Sequence, residues 1–95
     1  MVLHQFFSIP NSVNSIDFRA FSGCSKLTNI TIPNCVTSIG KYAFYGCSSL
    51  ININITNSVN SIGYCAFYEC SSLTNITLPK RFKDQFGNNE KFKYY

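Results

Sequence analysis

Apolar positions recur along this chain with two spacings, and both repeat every 23 residues. Leu27 opens the run L-T-N-I-T-I-P, in which Ile30 and Ile32 alternate with Asn29 and Thr31. Alternation at period 2 predicts a short strand with the isoleucines inward and the Asn and Thr outward. Pro33 ends that strand, because it has no ladder donor. A second extended piece, V-T-S-I-G over residues 36–40, brings Val36 and Ile39 inward and turns at Gly40. The next piece, K-Y-A-F-Y-G-C, is too short for a stable helix by itself. It reads as one helical or 3₁₀ turn that drives Ala43, Phe44 and Cys47 into the core.

Residues 50–72 repeat residues 27–49 with 15 identities in 23 positions. Self-similarity at a fixed period of this length marks a stacked repeat protein. Four frames cover 4–26, 27–49, 50–72 and 73–95 of a single domain, 1–95. Ile9, Ile32, Ile55 and Leu78 form one column; Val13, Val36 and Val59 another; Ile16, Ile39 and Ile62 a third. Ala-Phe at 20–21, 43–44 and 66–67, then Cys24, Cys47 and Cys70, complete the pattern. No frame buries enough apolar surface to fold alone, so each needs a neighbour to hydrogen-bond to and to cover its core layer.

The end frames depart from the pattern. His4, Gln5 and Phe6 stand where frame two has Leu27, Thr28 and Asn29, and Asp17 replaces the Gly. Frame four is faithful through Pro79 and then breaks. Phe82 falls in the Val column, Phe86-Gly87 aligns with Ile62-Gly63 after one insertion, and Phe92 aligns with Phe67 after another. Residues 80–95 read as a C-terminal cap whose lysines blunt the last strand edge. The N-terminal edge near His4–Ile9 has no evident cap and invites self-association.

The pattern L-x-x-I-x-[IL]-P-x-x-[VL]-x-x-I-G-x-x-A-F-x-x-C, nearly verbatim at residues 27–47, resembles the BspA-like, or treponemal-type, class of leucine-rich repeats. Residues 50–70 follow it except for Thr56 at the Pro position. The resemblance covers about residues 7 to 79. It implies a right-handed leucine-rich-repeat solenoid, β-rich, with the L-x-x-I-x-I strands forming one parallel sheet and with short helical or 3₁₀ turns. It also implies the role of a surface or adhesion protein that binds other macromolecules, and a cell-surface location. The N-terminus shows no basic segment followed by an apolar run and cleavage site, which by itself reads as cytoplasmic. No run approaches the ~18 apolar residues of a membrane span.

Charge narrows the partners. The net charge is +4, but Lys80, Arg81, Lys83, Lys91 and Lys93 against Asp84 and Glu90 place +3 of it in the last 16 residues (5 − 2 = 3). The repeats are nearly neutral, so nucleic acid is not an expected partner. His4 is the single His, and no acid or nucleophile pattern surrounds it. Neither catalysis, nor a cofactor, nor a metal site is expected. Cys24, Cys47 and Cys70 occupy inward positions one repeat apart and read as buried core thiols. Cys35 and Cys65 fall outside the core columns and read as exposed.

The outward face of the predicted sheet carries the sharper candidate. Asn29, Asn52 and Asn75 form one row, Thr31, Asn54 and Thr77 a second, and Thr28, Ile51 and Thr74 a third. Such rows offer amides and hydroxyls to a protein or glycan partner. Alternatively, in-register Asn side chains bond to one another, as in stacked sheets. Asn29, Asn54 and Asn75 also open N-x-[ST] sequons, and glycans there would cover the same face. Tyr45 and Tyr68 stack beside the Ala-Phe turn as contact aromatics or as flank packing. Four strands of six residues present a flat face of about 280 Å², against ~800 Å² per partner in a standard interface. Binding by this face alone is therefore expected to be weak.

Overall fold

A computed structural model describes residues 5–95; His4, and the part of the N-terminal edge it occupies, lie outside the described residues. The L-x-x-I-x-I segments become β1 (Phe6–Ser8), β3 (Asn29–Thr31), β5 (Asn52–Asn54) and β7 (Asn75–Leu78). They pair in parallel, with Asn29 opposite Asn52 and Asn52 opposite Asn75, as a 23-residue repeat requires. The second extended piece forms a sheet of its own: β2 (Ser15–Ile16), β4 (Ser38–Ile39) and β6 (Ser61–Ile62) are also parallel and in register. Two parallel sheets therefore stand where the sequence pointed to one. The apolar columns fill the space between the walls. Leu27, Val36, Ala43, Phe44, Cys47, Leu50, Ile53, Ile55, Val59 and Leu78 have no exposed surface, and among the described residues no polar or charged one is buried with them.

The K-Y-A-F-Y-G segment is not helical. Tyr42 lies in the left-handed region (φ 56°), as do Arg19 and Cys65 at the same place in their coils (56° and 54°). A residue there breaks any helix, because right-handed φ must be continuous. The backbone donors alternate instead. Ala43, Tyr45 and Cys47 donate within the coil, to Gly40, Tyr42 and Phe44 oxygens at 3.3, 3.2 and 3.1 Å. Tyr42, Phe44 and Gly46 donate to Tyr64, Ala66 and Tyr68 oxygens of the next coil at 3.1, 2.8 and 3.0 Å. The wall of tight turns is thus a ladder as well, joining the first coil to the second and the second to the third.

The C-terminal segment changes style after Pro79. A 3₁₀ turn (Lys80–Phe82) leads into one α-helical turn, α1 (Lys83–Phe86). Phe82 is buried and its N–H donates to Pro79 O, as Val36 N–H donates to Pro33 O, so it holds the Val place. The expected match of Phe92 to Phe67 is corrected. Phe92 lies in a fifth strand of the larger sheet, β8 (Phe92–Tyr94), opposite Ile76, and Phe86 packs against Phe67 (ring centroids 6.2 Å). The chain after Gly87 abandons the 23-residue spacing and returns early to the sheet, covering the last strand with an extra one. Lys93 stands opposite Thr77 on that outermost strand.

Candidate functional site

The sheet face places the predicted residues together. Asn29, Asn52 and Asn75 run in one row that begins at Phe6, and Asn54 and Thr77 pair in the next, which begins with Ser8 opposite Thr31. Thr31, Asn52, Asn54, Thr74 and Asn75 are exposed; Thr28, Asn29 and Thr77 are half-buried. Strands this short keep their outward side chains free of the core because period 2 sends every second one away from it. A shallow depression of about 360 Å³ opens on this face, lined by Asn29, Thr31, Asn52, Asn54 and Thr56 together with Ile30 and Ile32.

The row of asparagines does not form a closed amide ladder. Among the described residues no side-chain hydrogen bond joins Asn29, Asn52 and Asn75, so their donors and acceptors face outward. The threonine row behaves otherwise. Thr28 Oγ1 donates to Gln5 O at 2.9 Å and Thr74 Oγ1 to Ile51 O at 3.5 Å, each reaching back one coil. Those two hydroxyls keep acceptor capacity for a partner, but their protons serve the stack. Between them Ile51 is 45% exposed, an apolar spot in a polar row.

A second row of such contacts lay hidden in the sequence. Cys35 Sγ donates to Asn11 O and Val13 O at 2.6 and 3.1 Å, and Ser58 Oγ donates to Val36 O at 2.7 Å. Arg81 donates to Asn57 Oδ1 and Asn57 O, both at 2.8 Å, and to Val59 O. These residues stand 23 apart and share only the ability to donate, which no residue-class pattern reveals. Cys35 is therefore half-buried and hydrogen-bonded rather than exposed. Arg81, one of the five cations that made the tail basic, is a clamp onto the preceding coil.

The core cysteines use their thiols the same way. Cys47 Sγ donates to Phe21 O and Cys70 Sγ to Phe44 O, both at 3.1 Å. All five cysteines are free thiols. The neighbouring Cys70 thiol, and then burial, push the Cys47 thiol far above its ordinary range, and burial raises Cys24 as well. Cys24 and Cys47 are thus packing thiols held in the protonated form, whereas the hydrogen bond with Cys47 draws the Cys70 thiol below its ordinary range.

Tyr45 and Tyr68 do stack, with ring centroids 5.9 Å apart and planes within 19°. They belong to a larger group on the wall of turns. Tyr42 meets Phe18, Tyr45 and Tyr64 edge-on at 6.2, 5.6 and 6.0 Å. Arg19 lies over Tyr42, Phe18 and Tyr45, with Cζ 5.0, 5.4 and 6.0 Å from the ring centres. The repeat pattern singles out only the two stacked tyrosines. Phe18, Lys41 and Tyr64 share one position and Arg19, Tyr42 and Cys65 another, so neither looks aromatic as a column.

Comparison with known proteins agrees with this geometry. The family model for the BspA type leucine rich repeat region matches residues 3–93 in six copies. A crystal structure of a leucine-rich repeat protein from Bacteroides ovatus superposes with a TM-score of 0.68 at 30% sequence identity. The match covers 86% of this chain and 28% of that one, so the chain spans under a third of its solved neighbour's length. No curated protein matches the chain.

Proposed function

Because this chain belongs to the BspA-type leucine-rich repeat family, we propose that it is a non-catalytic interaction module of the adhesion type. A protein or glycan partner docks on the polar sheet face, through Thr28, Asn29, Thr31, Asn52, Asn54, Thr74, Asn75 and Thr77. The observation that carries the reading is the depression of about 360 Å³ on that face, ringed by amides and hydroxyls. Its asparagines are unbonded to one another, so a partner gains their full hydrogen-bonding capacity. The fifth strand enlarges the face only modestly, to on the order of 400 Å². That is about half of a standard interface per partner, so a single chain binds weakly and a run of further coils binds well.

The test is a printed array of glycans and purified proteins probed with the fluorescently labelled chain. Asn52→Arg and Thr31→Arg both place a large cation in the depression without touching the core. Each variant is expected to keep the parent's circular dichroism and lose at least about tenfold in signal, the cost of roughly 1.4 kcal/mol. Undiminished signal from both folded variants would sink the sheet-face reading.

One observation favours a second reading, that the chain is a unit of a longer stack. Strand β1 is the edge of the larger sheet, and Phe6 on it is 69% exposed. Beside it an apolar depression of about 260 Å³ is lined by Phe7, Ile9, Pro10, Val13 and Phe21 among others. An edge that no other described strand pairs with, over an apolar hollow, is a template for another coil. Under this reading sedimentation equilibrium shows open-ended oligomers that Phe6→Lys or Ser8→Lys disperses; a parent chain that is monomeric at every concentration counts against it.

A further inference from the structure

The ladder on the wall of turns stops at the third coil. In the first coil the Arg19, Phe21 and Gly23 N–H groups donate to the Lys41, Ala43 and Tyr45 oxygens of the second, at 3.1, 2.7 and 2.7 Å. The second coil repeats this toward the third. The matching donors of the third coil are Cys65, Phe67 and Glu69, and no acceptor among the described residues takes any of them. A backbone N–H is an obligatory donor, and a row of three without acceptors is an unfinished ladder. The core beneath is unfinished as well. Phe44 has no exposed surface, whereas Phe67, at the same place one coil later, is half-buried.

The cap is the cause. In the third coil residues 63–74 lie between β6 and β7, and they build the wall; in the fourth only residues 87–91 lie between α1 and β8. The chain returns to the sheet by this shorter way and lays no turn on the third one. A depression of about 290 Å³ marks the place, lined by residues 63–68 of the wall and by Ile76, Phe86, Lys91 and Phe92 beside it.

The donors and the cap together identify the occupant. The same three donors occur twice more in this chain, and each time their acceptors are carbonyls at every second residue of one neighbouring backbone. A coil of a second copy cannot bring such carbonyls here. β7 and β8 carry the larger sheet two strands beyond β5, a height of about 10 Å, so a copy lowered onto the wall meets β7 first. A copy that instead pairs its β1 with β8 leaves the wall open by the same two steps. Nor does the place suit a polyanion. Lys91 is the one charged residue lining it among the described residues, Glu90 precedes Lys91, and exposed Glu69 belongs to the donor row itself. We propose that this ledge binds a single strip of peptide from a partner protein. The strip's carbonyls accept from the Cys65, Phe67 and Glu69 N–H groups, and one of its apolar side chains enters the depression among Phe67, Ile76 and Phe92. Adding one backbone to an open ladder is a general mode of peptide recognition, and here it lies on a wall apart from the polar sheet face.

The probe is the strip with which the second coil fills such a row, residues 40–46 (G-K-Y-A-F-Y-G), made as a peptide with acetylated and amidated ends. It is added to the isotopically labelled chain, and the amide resonances are followed by NMR. In the free chain the Cys65, Phe67 and Glu69 amides exchange with deuterium quickly, while those of Phe21 and Phe44, whose acceptors are in place, exchange slowly. The peptide is expected to saturate at roughly millimolar concentration, as suits a contact far smaller than a standard interface. Near saturation it shifts the three amides and slows their exchange by about tenfold. The mirror-image peptide, of the same composition and the wrong hand, leaves them unchanged. Asn52→Arg and Phe6→Lys both spare the effect, which separates it from the sheet face and from edge stacking. Four results overturn the proposal: amides already protected in the free chain, no shift on adding the peptide, equal shifts from its mirror image, or shifts centred on the sheet face. A response of the three amides to a short oligonucleotide and not to the peptide also overturns it, in favour of an anion site.

Discussion

Gly63→Ala is expected to lower the stability of this chain by about 3 kcal/mol, a large fraction of what a small domain has. A Cβ at this position meets the backbone of the preceding coil: Lys41 N, Gly40 C at 2.7 Å and Lys41 Cα at 2.8 Å. None of those atoms is the movable end of a side chain, so the two coils must separate to admit a methyl group. Separation breaks the bond from Gly63 N–H to Ile39 O (2.7 Å) and the pairing of Ile39 with Ile62. Gly40 stands in the same relation to coil one, with Phe18 N at 2.7 Å and Asp17 C at 2.8 Å, and Gly40→Ala is expected to cost as much. Asp17, the residue of coil one at that place, is exposed, and Asp17→Ala should be nearly neutral. Urea unfolding followed by circular dichroism measures all three. A Gly63→Ala midpoint within experimental error of the parent would refute the close-packed account of this column.

The second large effect belongs to Phe44. Its ring has no exposed surface and lies between Phe21 and Phe67, nearly parallel to both, at 5.4 and 5.8 Å. Phe44→Ala removes the ring from the middle of the stack, and the neighbours do not readily close over the gap, because Phe21 N–H is bonded to Ala43 O and Phe67 O accepts from Cys70 N–H. The expected loss is about 3–5 kcal/mol. For a domain of this size each kcal/mol lowers Tm by ~4–8 °C, so the variant should melt well over 10 °C below the parent in a calorimeter. Phe44→Leu, which keeps most of the volume, should lose less than half as much. A shift of only a few degrees for the Ala variant would mean that the core relaxes freely and that the stacked rings contribute little.

These two positions show what the sequence could and could not tell. The inward columns were legible because burial demands one residue class at a fixed period: Ile30, Ile53 and Ile76 could be nothing but one face of a stacked strand. The family resemblance followed from the same columns. Gly40 and Gly63 were visible as conserved features of the repeat within the chain, but their reason was not. They read as turn glycines, yet neither has positive φ; they are glycines because two backbones come together there. The left-handed residues went unseen for the opposite cause. Arg19, Tyr42 and Cys65 share a conformation and no chemistry. Of the candidate site, the Asn and Thr rows were legible from period 2 alone. The aromatic group was legible only at Tyr45 and Tyr68, because Lys41 interrupts the Phe18–Tyr64 column and Tyr42 stands between Arg19 and Cys65 in its own. Phe92 was placed wrongly since one aromatic resembles another once the spacing is lost.

The side-chain bonds between coils all run one way. Thr28, Cys35, Cys47, Ser58, Cys70, Thr74, Arg81 and Gln85 each donate to a carbonyl of the coil before. A coil's side-chain donors thus find their acceptors on backbone that the ribosome has already released. An earlier coil waits for nothing from these side-chain groups, though its turn N–H groups find their acceptors on the next coil. The direction of these bonds is therefore the direction of translation, and it favours ordering of the solenoid from its N-terminal end while the rest is still being made.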